Sequence, residues 1–182
     1  MKVIDFKMIG SWVDVVNAAR TTINKPPVNK EPSSEWKKQI LLAEHSPIRK
    51  LQFSWKWVDL KSWVSVHFVR HKFGIEHFVQ SQRNDRTGID RDSARQDSLV
   101  SHECLANAQA IINISRKRLC NKAHKETTDA WNMVLQHLFL ECPELWSVCV
   151  PECIYRNFCP EFKSCGAYER CYLYEYRDYQ KV

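Results

Sequence analysis

Two segments gather side chains that handle negative charge: RHKFGIEHFVQSQR over residues 70–83 and ANAQAIINISRKR over residues 106–118. The first sets Arg70, His71, Lys72 and Arg83 about Ser81; the second sets Asn107 and Asn113 ahead of Arg118. Guanidinium groups meet phosphates through paired, charge-assisted hydrogen bonds, and a carboxamide offers donor and acceptor together. The set suits phosphates beside a polarised heterocycle. Taken singly, the same residues have plainer roles. An isolated arginine is usually solvated or ion-paired, a lone His71 usually a structural hydrogen-bonding residue, and asparagine in a helix usually just exposed. Their ordered co-occurrence is what points to a site.

The elements that must position them are readable from periodicity. Residues 60–68 fit a helix delivering Arg70, and residues 70–83 fit a strand and turn. The polar stretch 84–101, which contains Arg91, reads as a long loop of the functional kind. From 102 to 140 the pattern is helical, with a break near Lys122 to Lys125. Asn107 and Arg118 then share one helix face three turns apart, with Gln109, Asn113 and Arg116 on the next. Upstream, residues 3–8 read as a strand and 12–20 as a helix capped by Ser11. Residues 24–32 form a loop, and Ser33 or Ser34 caps a helix carrying Trp36, Ile40 and Leu41. Leu51, Phe53, Trp55 and Trp57 alternate with polar residues, as in a strand with one buried face, so the two tryptophans read as core.

At 182 residues the chain is expected to be a single domain, small for an enzyme holding several large ligands, so homo-oligomerisation is expected. The net charge of +6 allows anionic small molecules as readily as nucleic acid. No run reaches the ~20 apolar residues needed to span a bilayer, and the first residues are too briefly apolar for a secretory signal. A cytoplasmic location is expected, where eight cysteines are thiols or metal ligands rather than disulfides.

These residues, in this order, resemble the flavin-dependent thymidylate synthases (the ThyX family), whose signature is Arg-His-Arg followed by a serine and a nearby arginine. Arg70, His71 and Lys72 stand at the triplet, with Ser81 and Arg83 after it. AARTT, ending at Thr22, is similar to the family's early flavin-contacting segment, and HSP, with Ser46 at its centre, to its His/Thr-Pro loop. Arg91 falls at a phosphate-binding arginine, and Asn107, Asn113 and Arg118 at the family's helix positions. Four departures accompany the match. Lys72 replaces a planar fork by a point charge. One extra residue lies between Phe73 and Gln80, Arg49 and Lys50 stand where Glu-His is usual, and Gln109 stands at an often basic position.

The resemblance implies a mixed α/β fold, a twisted sheet flanked by helices with long C-terminal helices. It also implies a homotetramer converting dUMP to dTMP with FAD as cofactor, and methylenetetrahydrofolate and NADPH as co-substrates. By it, Arg118 is catalytic, stabilising charge on the uracil, and Ser81 positions substrate with Arg83 and Arg91. Arg70, His71, Lys72, Thr22, Ser46, Asn107 and Asn113 hold the flavin. Two other readings stay open: a flavin-dependent hydroxymethylase acting on dUMP or dCMP, and a basic zinc or nucleic-acid-binding module.

Residues 143–182 form a cysteine- and tyrosine-rich extension beyond the matched part. Cys149, Cys153, Cys159, Cys165 and Cys171 are spaced by four, six, six and six residues, whereas zinc sites favour tighter pairs. No metal ligand is therefore assigned, and a reduced, packed cluster is the plainer account. The tyrosines Tyr168, Tyr172, Tyr174, Tyr176 and Tyr179 read as packing on their own domain or a neighbouring subunit. His45, His67, His77, His102 and His124 read as structural.

Overall fold

The alternation around Trp55 becomes the central strand of the domain. The computed structural model describes residues 1–176 and Tyr179. In chain order β1 (Lys2–Ile9), α1 (Trp12–Thr22) and α2 (Ser34–Leu42) precede β2 (Gln52–Lys61), α3 (Ser62–Phe68) and β3 (Ile75–Val79). The short α4 (Asn84–Thr87) leads to β4 (Leu99–Asn107), α5 (Ala108–Arg118) and α6 (Lys125–Glu141). Three short helices follow: α7 (Pro143–Ser147), α8 (Glu152–Arg156) and α9 (Leu173–Glu175).

The four strands pair antiparallel in the order β1-β2-β4-β3. Directly opposed residues of antiparallel strands share a face. Trp55 lies opposite Cys104, Trp57 opposite His102, and His77 opposite Cys104. One face of the sheet is therefore continuous from Phe53, Trp55 and Trp57 across His102, Cys104 and Ala106 to Ile75, and all of these are buried. Helices α3, α5 and α6 cover it. Trp57 stacks on Phe68 at 4.5 Å, and its indole N–H donates to the Ala130 carbonyl at 3.0 Å. Trp131 Nε1 donates to Ser115 Oγ at 3.0 Å, so each of these indoles buries its ring and satisfies its donor.

The caps follow local chemistry. Ser11 and Asp14 form a reciprocal capping box on α1, and Ser33, rather than Ser34, caps α2 by accepting from Trp36 N–H.

Three expectations need correction. The helix delivering Arg70 starts at Ser62, because Leu60 and Lys61 still pair with Val100 and Leu99 in the sheet. The stretch 84–101 is not wholly loop: it holds α4, a 3-10 turn at Arg91–Ser93 and the start of β4. His102 to Asn107 is strand, not helix, with His102, Cys104 and Ala106 inward and Glu103 outward. The helical break holds, since α6 begins at Lys125 with His124 as its cap. Among the described residues no helix is long and apolar enough to cross a membrane.

Candidate active site

The junction between β4 and α5 sets the geometry. Asn107 is not in the helix interior but caps it, its Oδ1 accepting from Ala110 N–H at 3.0 Å. Its own backbone N–H donates to the Gly74 carbonyl at 2.8 Å. Gly74 has φ +74°, and a Cβ there would lie 2.6 Å from Asn107 Nδ2, so the turn after Arg70-His71-Lys72 is pressed against the start of α5. The other end of the helix meets the same turn. Arg118 Nε donates to His71 Nε2 at 3.0 Å, and Nη2 donates to the His67 carbonyl. Eleven helical residues span about 16 Å, and the long Arg118 side chain reaching back completes the bridge.

Arg118 is half-buried, and among the described residues no carboxylate pairs with it. Burial, then the nearby Arg70 charge, lowers its pKa. His71 is pushed down to about 4, first by burial and then by the Arg118 charge, with His77 and Lys117 adding. It is therefore neutral at neutral pH. Because Nε2 accepts from Arg118, the ring proton sits on Nδ1. His71 and Arg118 line a 310 Å³ cavity with Cys120, Cys153, Cys159, Cys165 and Tyr168. The C-terminal extension thus folds over the candidate catalyst, and Tyr172 OH donates to the Leu119 carbonyl at 3.0 Å. Cys149 is elsewhere: buried, its thiol pushed up to about 12, it lines a separate 630 Å³ cavity with Trp146, Tyr176 and Tyr179. Cys120 takes its place in the cluster. The side chains of Cys171 and Tyr174 lie outside the described residues.

The remaining site residues are distributed around the chain. Thr22 and Ser46 line a 540 Å³ cavity with Trp36, Gln39 and Pro47. Ser81 and Arg91 line a 340 Å³ cavity with Gln80, Ile89 and Ser98. Arg83 instead binds Asp85 in a bidentate surface pair at 2.9 and 2.8 Å, and its backbone N–H donates to Ser81 Oγ at 3.3 Å. Asn113 is exposed and accepts from Gln109 at 3.4 Å and Arg116 at 3.3 Å; both of those donors also bind Glu44. Arg70, Lys72 and Arg91 are exposed, and their cationic groups have no hydrogen bond or ion pair among the described residues. One chain therefore brings together Arg118 and His71, and separately Ser81 and Arg91, and separately Thr22 and Ser46. Among the described residues these three groups line three different cavities.

Sequence reasoning passed over several residues at or behind the site. Gly74 fits the turn because of its φ, and Glu44 neutralises Arg116. His77, His102 and Cys104 bring three donor atoms together behind His71. The signal available was the His-x-Cys alternation at residues 102 and 104, which a helical reading hides.

No family description matches the sequence, and no curated protein matches it. Solved structures do. The chain is similar to a UMP/dUMP methylase, PolB, from Streptomyces cacaoi bound with 5-Br dUMP. That match has a TM-score of 0.61 and 12% identity, covering 86% of this chain and 94% of that one. It is also similar to the flavin-dependent thymidylate synthase ThyX from Helicobacter pylori complexed with FAD and dUMP. Here the TM-score is 0.63 at 16% identity, over 82% of this chain and 100% of the other. At such identities the likeness is one of fold, a mixed α/β domain with a four-stranded antiparallel sheet flanked by helices.

Proposed function

We propose that the chain is a flavin-dependent thymidylate synthase, a homotetramer that converts dUMP to dTMP using FAD, methylenetetrahydrofolate and NADPH. The observation that carries the reading is Arg118, a half-buried guanidinium with no carboxylate partner among the described residues, aimed by a neutral His71 and a backbone carbonyl beside a cavity. A buried cation left unpaired in the free protein is matched to an anion or to developing negative charge. The fold is that of one enzyme solved with FAD and dUMP and another solved with 5-Br dUMP.

The residues present fit the cofactor. Arg70 and Lys72 are exposed cations with no hydrogen bond or ion pair among the described residues, suited to a pyrophosphate, and Thr22 and Ser46 are hydroxyls in a cavity walled by Trp36. When bound, FAD supplies the one-carbon carrier and the hydride. The protein's part is electrostatic. Arg118 stabilises charge that accumulates on the uracil as the ring becomes nucleophilic, and His71 fixes the guanidinium's orientation by accepting a hydrogen bond from its Nε–H. Ser81 and Arg91 hold the substrate phosphate, joined by Arg83 when it exchanges Asp85 for that phosphate. Ser81 positions rather than attacks: among the described residues its hydroxyl accepts from the Arg83 N–H and has no base beside it. The three separate cavities that these groups line in one chain support a complete site assembled from several subunits.

The test is rescue of a thymidine-requiring bacterium, with product analysis from labelled dUMP. Wild type is expected to rescue and to form a methylated product, while Arg118→Ala lowers turnover by about 10²-fold or more. A hydroxymethylated product moves the assignment to a pyrimidine hydroxymethylase. Colourless protein that takes up no added FAD and binds polynucleotide with steep salt dependence ends the flavoenzyme reading.

A further inference from the structure

Behind the turn that carries His71, three donor atoms converge on the buried face of the sheet. His77 Nδ1 lies 3.0 Å from His102 Nε2, and Cys104 Sγ lies 3.4 Å from each. We propose that His77, His102 and Cys104 form a zinc site, with the fourth position open on the side of the half-buried His77.

The separations match the ligand shell. Zinc bonds of about 2.0–2.1 Å to nitrogen and about 2.3 Å to sulfur, set tetrahedrally, put ligand nitrogens about 3.3 Å apart and nitrogen and sulfur about 3.6 Å apart. The three donors already form one face of such a tetrahedron, a few tenths of an ångström tighter. The backbone preforms this face. His102 and Cys104 are two apart on β4 and point the same way, and His77 on β3 is the cross-strand partner of Cys104. No loop has to reorder.

The outer contacts also fit. His77 Nε2 is 2.8 Å from the His71 carbonyl, which can only accept, so the proton is on Nε2 and the bare lone pair of Nδ1 faces the other donors. His102 Nδ1 is 3.0 Å from Ser65 Oγ. Ligating histidines characteristically bond their second nitrogen to such partners. Two imidazoles and a thiolate select zinc over magnesium or calcium.

A plainer account exists: a relay in which Ser65 donates to His102, His102 to His77, and His77 to the His71 carbonyl. That chain satisfies every nitrogen without Cys104, and so leaves unexplained a sulfur placed equally close to both rings. On zinc binding the thiol proton leaves to solvent, and the His102 proton moves from Nε2 to Nδ1 and is donated to Ser65 Oγ. The bound ion would brace β3 against β4 and hold the His71 carbonyl, one hydrogen bond behind the partner of Arg118.

The experiment is metal analysis of the full-length protein equilibrated with zinc and then dialysed, alongside the absorption spectrum of cobalt(II)-loaded protein. About one equivalent per chain is expected that is lost in Cys104→Ala and in His77→Ala, with affinity about 10–100-fold weaker in Ser65→Ala. The cobalt spectrum of wild type should carry the charge-transfer intensity of a single thiolate, a readout that needs no variant to fold. A Cys159→Ala/Cys165→Ala double variant should retain this equivalent. The proposal is overturned if folded wild type takes up neither metal, or if all bound metal survives Cys104→Ala. It is equally overturned if the cobalt spectrum reports only a multi-thiolate centre, which would place the metal among Cys120, Cys153, Cys159 and Cys165.

Discussion

Arg118 and Arg83 are the same residue type in opposite circumstances. Arg83 is exposed and holds Asp85 through Nε and Nη2, a pair whose strength water and salt keep small. Arg118 is half-buried, and its neighbours are a neutral imidazole, a carbonyl and the ring of Phe68, whose centroid lies 5.9 Å from the guanidinium carbon. The contrast explains why Arg118 is the better candidate catalyst. Gly74 is equally particular. Gly74→Ala forces an L residue to φ +74° and drives its Cβ into the Asn107 amide, so we expect a loss of at least about 1–2 kcal/mol in urea unfolding. Glu152 provides a pH handle. Burial raises its pKa, but hydrogen bonds from Lys117 at 3.0 Å and Arg156 at 2.6 Å prevail, and the net shift is downward from 4.5. A depressed carboxylate stabilises the fold above its unfolded value and stops doing so as pH falls through the folded one. Denaturation midpoints of wild type should therefore fall below about pH 4.5 more steeply than those of Glu152→Gln; parallel profiles would remove Glu152 from that role.

At the level of elements, α5 acts as a strut between two parts of one turn, with Asn107 meeting Gly74 and Arg118 meeting His71. Asn107 has two separable duties, capping the helix and presenting an amide to the proposed flavin. Asn107→Ser keeps a capping oxygen and should change stability by less than about 0.5 kcal/mol, whereas Asn107→Ala should cost about 1 kcal/mol. Both should weaken FAD binding measured by fluorescence titration; unaltered FAD affinity in Asn107→Ser would show that the residue serves the helix alone. The strand before it shows why part of this was hard to read. In β4 the inward positions are Val100, His102, Cys104 and Ala106, of which only Val100 carries a strong apolar signal, while the inward side of β2 carries Phe53, Trp55 and Trp57. Period two was present in both, and only the aromatic one was legible.

For the whole molecule, the decisive fact is dispersion. Thr22 with Ser46, His71 with Arg118, and Ser81 with Arg91 face three different cavities. The edge strand β3 and the turn before it also leave Phe73 at 89%, Phe78 at 58% and Val79 at 42% exposure, apolar surface beyond what scattered single residues explain. Both features agree with the proposed assembly. Mixing Arg118→Ala with Arg91→Ala, each inactive alone, should then restore measurable turnover, because some mixed sites combine the intact copy of each residue. Phe78→Lys should lower the mass seen by light scattering. Turnover that never returns in the mixture would place both residues in one subunit's site.

The order of residues along the chain was enough to identify the core strand at Trp55, the capping serine at residue 11 and the helix break before Lys125, because each rests on local periodicity or a local hydrogen bond. It also singled out Arg118, His71 and Asn107, whose chemistry is carried by residue type. Only tertiary structure decided that Arg118 meets His71 across 47 positions of sequence, that Cys120 rather than Cys149 joins the cysteine cluster, and that His77 faces Cys104. Those outcomes depend on strand register and helix length, which bring distant residues together through packing, and packing leaves no short-range pattern in a sequence.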